Sequence, residues 1–146
     1  MNRMHDPYDL GRFVEAQDLV YESVLAELRA GRKRTHWMWF VFPQLRGLGR
    51  SAMAERYGIS SIEEARAYLE HPVLGARLRE CTRLVNDIEG RAVDEIFGAP
   101  DDLKFWSSMT LFARAADGAR NSEFTEALAK YFGGAEDAGT VERLGA

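Results

Sequence analysis

The chain has 146 residues, 46% of them hydrophobic, 29% charged and 11% aromatic, with only 4 prolines; this is the composition of one globular domain and excludes a disordered or fibrous chain. A net charge of −4, from 19 Lys+Arg and 23 Asp+Glu, disfavours general nucleic-acid binding, and the single cysteine, Cys81, excludes an internal disulfide. The longest apolar run, residues 37–42, is too short to cross a membrane.

Leu10, Phe13, Val14, Gln17, Val20, Tyr21, Val24, Leu25 and Leu28 recur at i, i+3, i+4, i+7, which predicts one amphipathic helix of about five turns. Asp9 is placed to cap its start and Gly31 to end it in a left-handed residue, with Arg29 near the negative end of the dipole. Residues 37–42 are apolar at every position, and propensity alone reads them as a strand. With no second strand to pair with it and Pro43 behind it, the segment instead predicts one or two helical turns buried on all sides. Buried indoles need partners, so Trp37 and Trp39 should each reach a polar atom or edge a cavity.

Ser51 is placed to cap a short helix closed by Gly58, and Ser60 or Ser61 to cap the next, with Glu63 or Glu64 available for a capping box. His71-Pro72 ends that helix and starts another, buried through Val73, Leu74, Leu78, Cys81, Leu84, Val85 and Ile88 and closed by Gly90. Further helices are predicted over about 92–97, 100–116 and 122–132, terminated by Gly98 and Gly133-Gly134, with a tail turn at 140–144. Hairpin signals, internal repeats and low-complexity linkers do not occur. The expected fold is all-α: one compact domain over residues 1–146, of six or seven helices around a buried aromatic segment, with 1–8 and 135–146 less ordered.

Charge is distributed unevenly. No acidic residue lies between Leu28 and Ala54, whereas Arg29, Arg32, Lys33, Arg34, Arg46 and Arg50 do, so a basic region sits within an acidic chain. Inside it, Gln44-Leu45-Arg46-Gly47-Leu48-Gly49-Arg50-Ser51 is a glycine-spaced loop running into a helix N-terminus. Backbone N–H groups at Gly47 and Gly49, the helix start at Ser51 and the charge of Arg46 together suit a phosphate or carboxylate. The Gly-Lys-Ser/Thr ending of a phosphate loop is missing and no strand precedes the glycines, so an ordinary turn is the alternative.

The candidate ligand-binding set is His36, Trp39, Gln44, Arg46, Gly47, Gly49, Ser51 and Lys104, the last if its helix start faces the loop; otherwise Lys104 is a surface lysine laid along apolar neighbours. His36 is the best candidate for acid–base catalysis, against a structural hydrogen-bonding role. Asp101 and Asp102 read as residues complementing a helix dipole, and Ser107 and Ser108, without a nucleophile elbow, as donors to backbone carbonyls. His5, His36, His71 and Cys81 are isolated, so neither a metal nor a cofactor is expected; Cys81, Met38, Met53 and Met109 read as core.

Two functional expectations follow. The first is a small-molecule-binding protein or enzyme with a pocket, near residues 36–51, for a phosphorylated or other anionic, nucleotide-like ligand. The alternative is a protein–protein interaction module using the basic 29–50 region. Nucleic acid is the weaker partner and no membrane partner is expected; with a polar N-terminus and no disulfide, the expected setting is cytoplasmic.

The stretch His36-Trp37-Met38-Trp39-Phe40-Val41-Phe42-Pro43-Gln44-Leu45-Arg46-Gly47-Leu48-Gly49, with Phe97-Gly98-Ala99-Pro100-Asp101-Asp102-Leu103-Lys104 and Ser107-Ser108-Met109-Thr110-Leu111-Phe112, closely resembles the bacterial domain-of-unknown-function family 1810. The resemblance runs from Asp6-Pro7 to Gly133-Gly134 and implies a mainly α-helical single domain without an established activity. Members are sometimes labelled calpastatin, but that inhibitor is disordered and repetitive, which 11% aromatics and a non-repeating helical pattern exclude here.

Overall fold

Apolar stripes broken by glycines and capping residues produce ten helices in the computed structural model, which describes residues 6–116 and 122–145. Expectations for residues 1–5 and 146, His5 among them, lie outside the described residues. The helices are α1 (Gly11–Asp18), α2 (Tyr21–Arg29), α3 (Met38–Val41), α4 (Ala52–Arg56), α5 (Ile62–Glu70), α6 (Leu74–Asn86), α7 (Val93–Phe97), α8 (Asp101–Ala115), α9 (Glu123–Phe132) and α10 (Ala138–Leu144). The all-α class holds among the described residues, but the count exceeds the six or seven expected. Single-turn elements and one broken stripe account for the difference.

The broken stripe is the predicted first helix. It divides at Leu19 and Val20, where Val20 leaves helical geometry at φ −131° and Leu19 is 86% exposed. The periodicity survives because α1 buries Phe13 and Gln17 while α2 buries Val24, Leu25 and Leu28. Periodicity records the buried face and is blind to a turn that keeps it in phase. The start is also corrected: Asp9 adopts φ +53°, and Asp6 caps instead, its carboxylate accepting from Leu10 N at 2.7 Å and Gly11 N at 2.8 Å.

The aromatic segment forms the single turn α3, with Trp37, Met38, Phe40, Val41 and Phe42 buried and Trp39 partly so. Phe42 meets Phe97 and Phe105 edge-on at 5.8 and 5.1 Å, and Gln17 ties α1 to the segment by donating to Phe40 O at 2.7 Å and Tyr68 Oη at 3.0 Å. Full burial of each such apolar side chain stabilises by about 1.5–3 kcal/mol, so this segment supplies much of the core's cohesion. Around it, α8 packs against α5, α7, α9 and α10, while α6 packs against α2, α5 and α9.

Ser51 caps α4 through Ala54 N and Ser61 caps α5 through Glu64 N, both at 3.1 Å. His71 Nδ1 accepts from Val73 N and Leu74 N, so the histidine that ends α5 also opens α6. Helix α10 is more than a tail turn: Asp137 caps it through Thr140, receives a hydrogen bond from Ser107 Oγ, and fixes it to α8. Cys81 is buried as read, and burial pushes its thiol up to about 12.

Candidate functional site

The glycine loop is held by one parallel bridge, Leu45 to Ile59, in which Arg46 N donates to Ile59 O at 2.8 Å and Ile59 N to Gln44 O at 2.9 Å. This contact places the loop beside the segment joining α4 to α5. Its close approach depends on glycine: a Cβ on Gly58 would lie 2.7 Å from Arg46 Cα, and one on Gly49 would lie 2.7 Å from the Ala54 methyl and 3.1 Å from Gln44 Nε2. Gly47 has φ +97°, and its carbonyl accepts from Arg143 Nη2 of α10 at 3.2 Å.

Two cavities flank this loop. The smaller is a slot of about 10 Å³, room for about one water-sized group, where Trp39, Gln44 and Lys104 come together between the apolar walls of Met38, Phe42 and Tyr57. Trp39 Nε1 is buried there without an acceptor among the described residues. Lys104 Nζ stands 5.2 Å from the Trp39 ring centre, the distance of a cation–π contact. Its ion pair with Asp101 is long, 3.5 Å, while the other Asp101 oxygen pairs with Lys33 at 2.9 Å.

The larger cavity is a cleft of about 580 Å³ that Arg46 shares with Arg12, Arg56, Ser60 and Glu64. Gly58 divides the two: it lines the slot, while its carbonyl accepts from Arg46 Nη2 at 3.2 Å and Arg12 Nη2 at 3.1 Å. The chain thus separates Arg46 from Trp39, Gln44 and Lys104. His36 is exposed and lines neither cavity. Ser51 uses its hydroxyl to cap α4, and Gly47, which is exposed, has its carbonyl taken by Arg143.

Among the remaining candidates, Asp101 pairs with the two lysines, and Asp102 accepts from Leu103 N. Ser107 donates to Leu103 O as expected, whereas the buried Ser108 Oγ has no partner among the described residues. Sequence reasoning missed Glu27, whose buried carboxylate gathers four donors from residues 34–37. Its signal was available: an acidic residue on the apolar face of a helix, just before an acid-free basic stretch. Glu64 was legible only as a capping-box candidate; its pairing with Arg12, and the bonds Arg12 and Arg143 make to Gly58 and Gly47, join residues dozens of positions apart and carried no local pattern.

Among the described residues, fold and cavities define an all-helical domain with a small, mainly apolar slot beside a glycine loop, and no helix is long and apolar enough to cross a membrane. The chain belongs to the family described as a protein of unknown function (DUF1810), which matches residues 7–144. It is similar to the conserved hypothetical protein Rv1873 from Mycobacterium tuberculosis, known from a crystal structure, with 66% identity and a TM-score of 0.92 over 96% of this chain and 99% of that one. A comparison with curated proteins finds no match.

Proposed function

We propose that the chain binds a small ligand through a terminal oxyanion, carboxylate or phosphate, at the slot formed by Trp39, Gln44 and Lys104. The observation that carries this reading is the buried Trp39 N–H without an acceptor among the described residues, beside an ammonium group whose one ion pair there is long. A buried donor left unsatisfied costs about 1–3 kcal/mol, and one ligand oxygen in the slot removes that cost while Lys104 offsets the charge. The volume admits a single oxygen, so the body of the ligand stays outside. The glycine loop serves as the wall of this site, with Gln44 seated against Gly49.

A second reading rests on a different observation. Arg29, Arg32, Arg34 and Arg50 are exposed and form no ion pair with a described residue, which suits an acidic protein partner on the 29–50 face.

Thermal melting with inorganic phosphate, citrate, ribose 5-phosphate and adenosine monophosphate decides between them. A ligand at a hundred times its dissociation constant adds about 2.7 kcal/mol, a shift that melting resolves. On the slot reading, the shift disappears in Lys104→Ala and Trp39→Phe. If none of the four compounds moves the wild-type transition, or the shift persists in both variants, the slot reading fails; capture of an acidic partner that Arg32→Ala and Arg34→Ala abolish then favours the second.

A further inference from the structure

The 580 Å³ cleft on the other side of Gly58 carries a separate inference. Its floor is rigid and internally neutral. Arg12 donates to Arg56 O, Tyr8 O, Asp9 O, Gly58 O and the Glu64 carboxylate, at 2.6 to 3.1 Å, and Glu64 also accepts from Ser60 N and Ser60 Oγ. Both side chains are spent on the fold, Glu64 being 2% exposed.

The walls differ. Asp9, Arg46, Glu55 and Arg56 all line this cleft, and none forms an ion pair with a described residue, although both signs of charge are present. Arg46 is oriented by its bond to Gly58 O and Arg56 by the Tyr57 ring, 5.4 Å from its guanidinium carbon. Asp9 is the one non-glycine residue with positive φ among those described, and since Asp6 caps α1, helix capping does not account for that conformation. All four side chains are exposed, and charges of both signs therefore border one open space, of a size suited to a small metabolite, without pairing across it.

We infer that this cleft binds a small zwitterion, its carboxylate received by Arg46 and Arg56 and its ammonium group by Asp9 and Glu55. A ligand carrying one sign alone would satisfy one pair of walls and meet repulsion from the other, so both charges on one molecule are required. A guanidinium pair suits a carboxylate through parallel N–H donors, and carboxylates suit an ammonium group as acceptors.

Isothermal titration of the full chain with glycine, γ-aminobutyrate and glycylglycine, which separate the two charges by different distances, set beside acetate and methylamine, tests the inference. At least one zwitterion binds, and acetate and methylamine bind at least roughly tenfold more weakly. Arg46→Ala and Glu55→Gln, one wall of each sign, each weaken that zwitterion by at least roughly tenfold with the melting transition retained. Lys104→Ala leaves it unchanged, which separates this cleft from the Trp39 slot. The inference is overturned if no zwitterion binds, if acetate or methylamine binds equally well in the Lys104→Ala protein, whose slot is disabled, if either wall substitution is silent, or if Lys104→Ala removes the binding.

Discussion

Trp37 Nε1 donates to Glu27 Oε1 at 3.0 Å, and through this bond the basic turn and the buried aromatic segment share one acceptor. The same carboxylate takes Arg34 N at 2.6 Å, Thr35 N at 3.0 Å and Thr35 Oγ1 at 2.5 Å. Glu27 therefore supplies, from α2, the negative charge that the sequence withholds from residues 29–53. Burial works to raise the Glu27 carboxyl, but the hydrogen bonds from Thr35, Arg34 and Trp37 outweigh it and hold the group below its usual range.

Replacing Glu27 by alanine orphans the indole N–H of a fully buried Trp37, and the expected loss is about 2–4 kcal/mol in urea unfolding. The pH dependence has a definite sign. Because the folded-state value is depressed, the contribution is fully present above the unfolded value of about 4.3 and is lost as pH falls through the folded value. Glu27→Gln should therefore flatten part of the acid limb of the stability curve. An acid limb unchanged in Glu27→Gln would mean that the carboxylate charge contributes nothing to folding.

The two indoles of the aromatic segment should respond differently to the same substitution. Trp37→Phe removes a satisfied donor and leaves Glu27 short of one partner, whereas Trp39→Phe removes a donor that has no acceptor among the described residues. Trp37 is fully buried and Trp39 only partly, so the lost packing and the lost hydrogen bond act in the same direction: Trp37→Phe should cost at least about 1 kcal/mol more than Trp39→Phe. Equal losses in chemical denaturation would show that Trp39 Nε1 has an acceptor in solution.

Helix α6 enters against the end of α5 at Gly75, where a Cβ would lie 2.1 Å from Leu69 O. The obstructing atom is backbone, so it cannot swing aside as a side-chain tip would. Gly75→Ala should destabilise by about 3 kcal/mol, read from the urea midpoint at unchanged slope. A loss under about 0.5 kcal/mol would require α5 and α6 to separate without cost, contrary to their packing.

Local signals in the chain were readable where the cause was local. Ser51 capping Ala54 N, Ser61 capping Glu64 N, the left-handed Gly31 and Gly133, and the buried turn at α3 all follow from spacing and residue type. The turn at Leu19 and Val20 was hidden because it preserves the apolar period, and Asp6 displaced Asp9 as cap because an Asp at φ +53° cannot also take the extended geometry a cap needs. Of the candidate ligand residues, Trp39, Gln44 and Lys104 meet in the slot, whereas Arg46 lies across the Gly58 peptide from them. That division depends on the Leu45 to Ile59 bridge, a long-range pairing with no hairpin pattern to announce it.

Arg143 and Gly47 offer a test in which two causes can be separated. The guanidinium lies over the glycine, its atoms 2.6 to 2.8 Å from where a Cβ would sit, and the glycine itself has φ +97°. Gly47→Ala should lose about 1–3 kcal/mol, part from backbone strain and part from displacing Arg143. In an Arg143→Ala background the second cause is gone while the strain remains, so the same Gly47→Ala change should cost less, though still more than zero. The difference between the two losses measures how firmly α10 grips the glycine loop. If Gly47→Ala costs the same with and without Arg143, the guanidinium moves aside freely and contributes nothing to the hold of α10 on the loop.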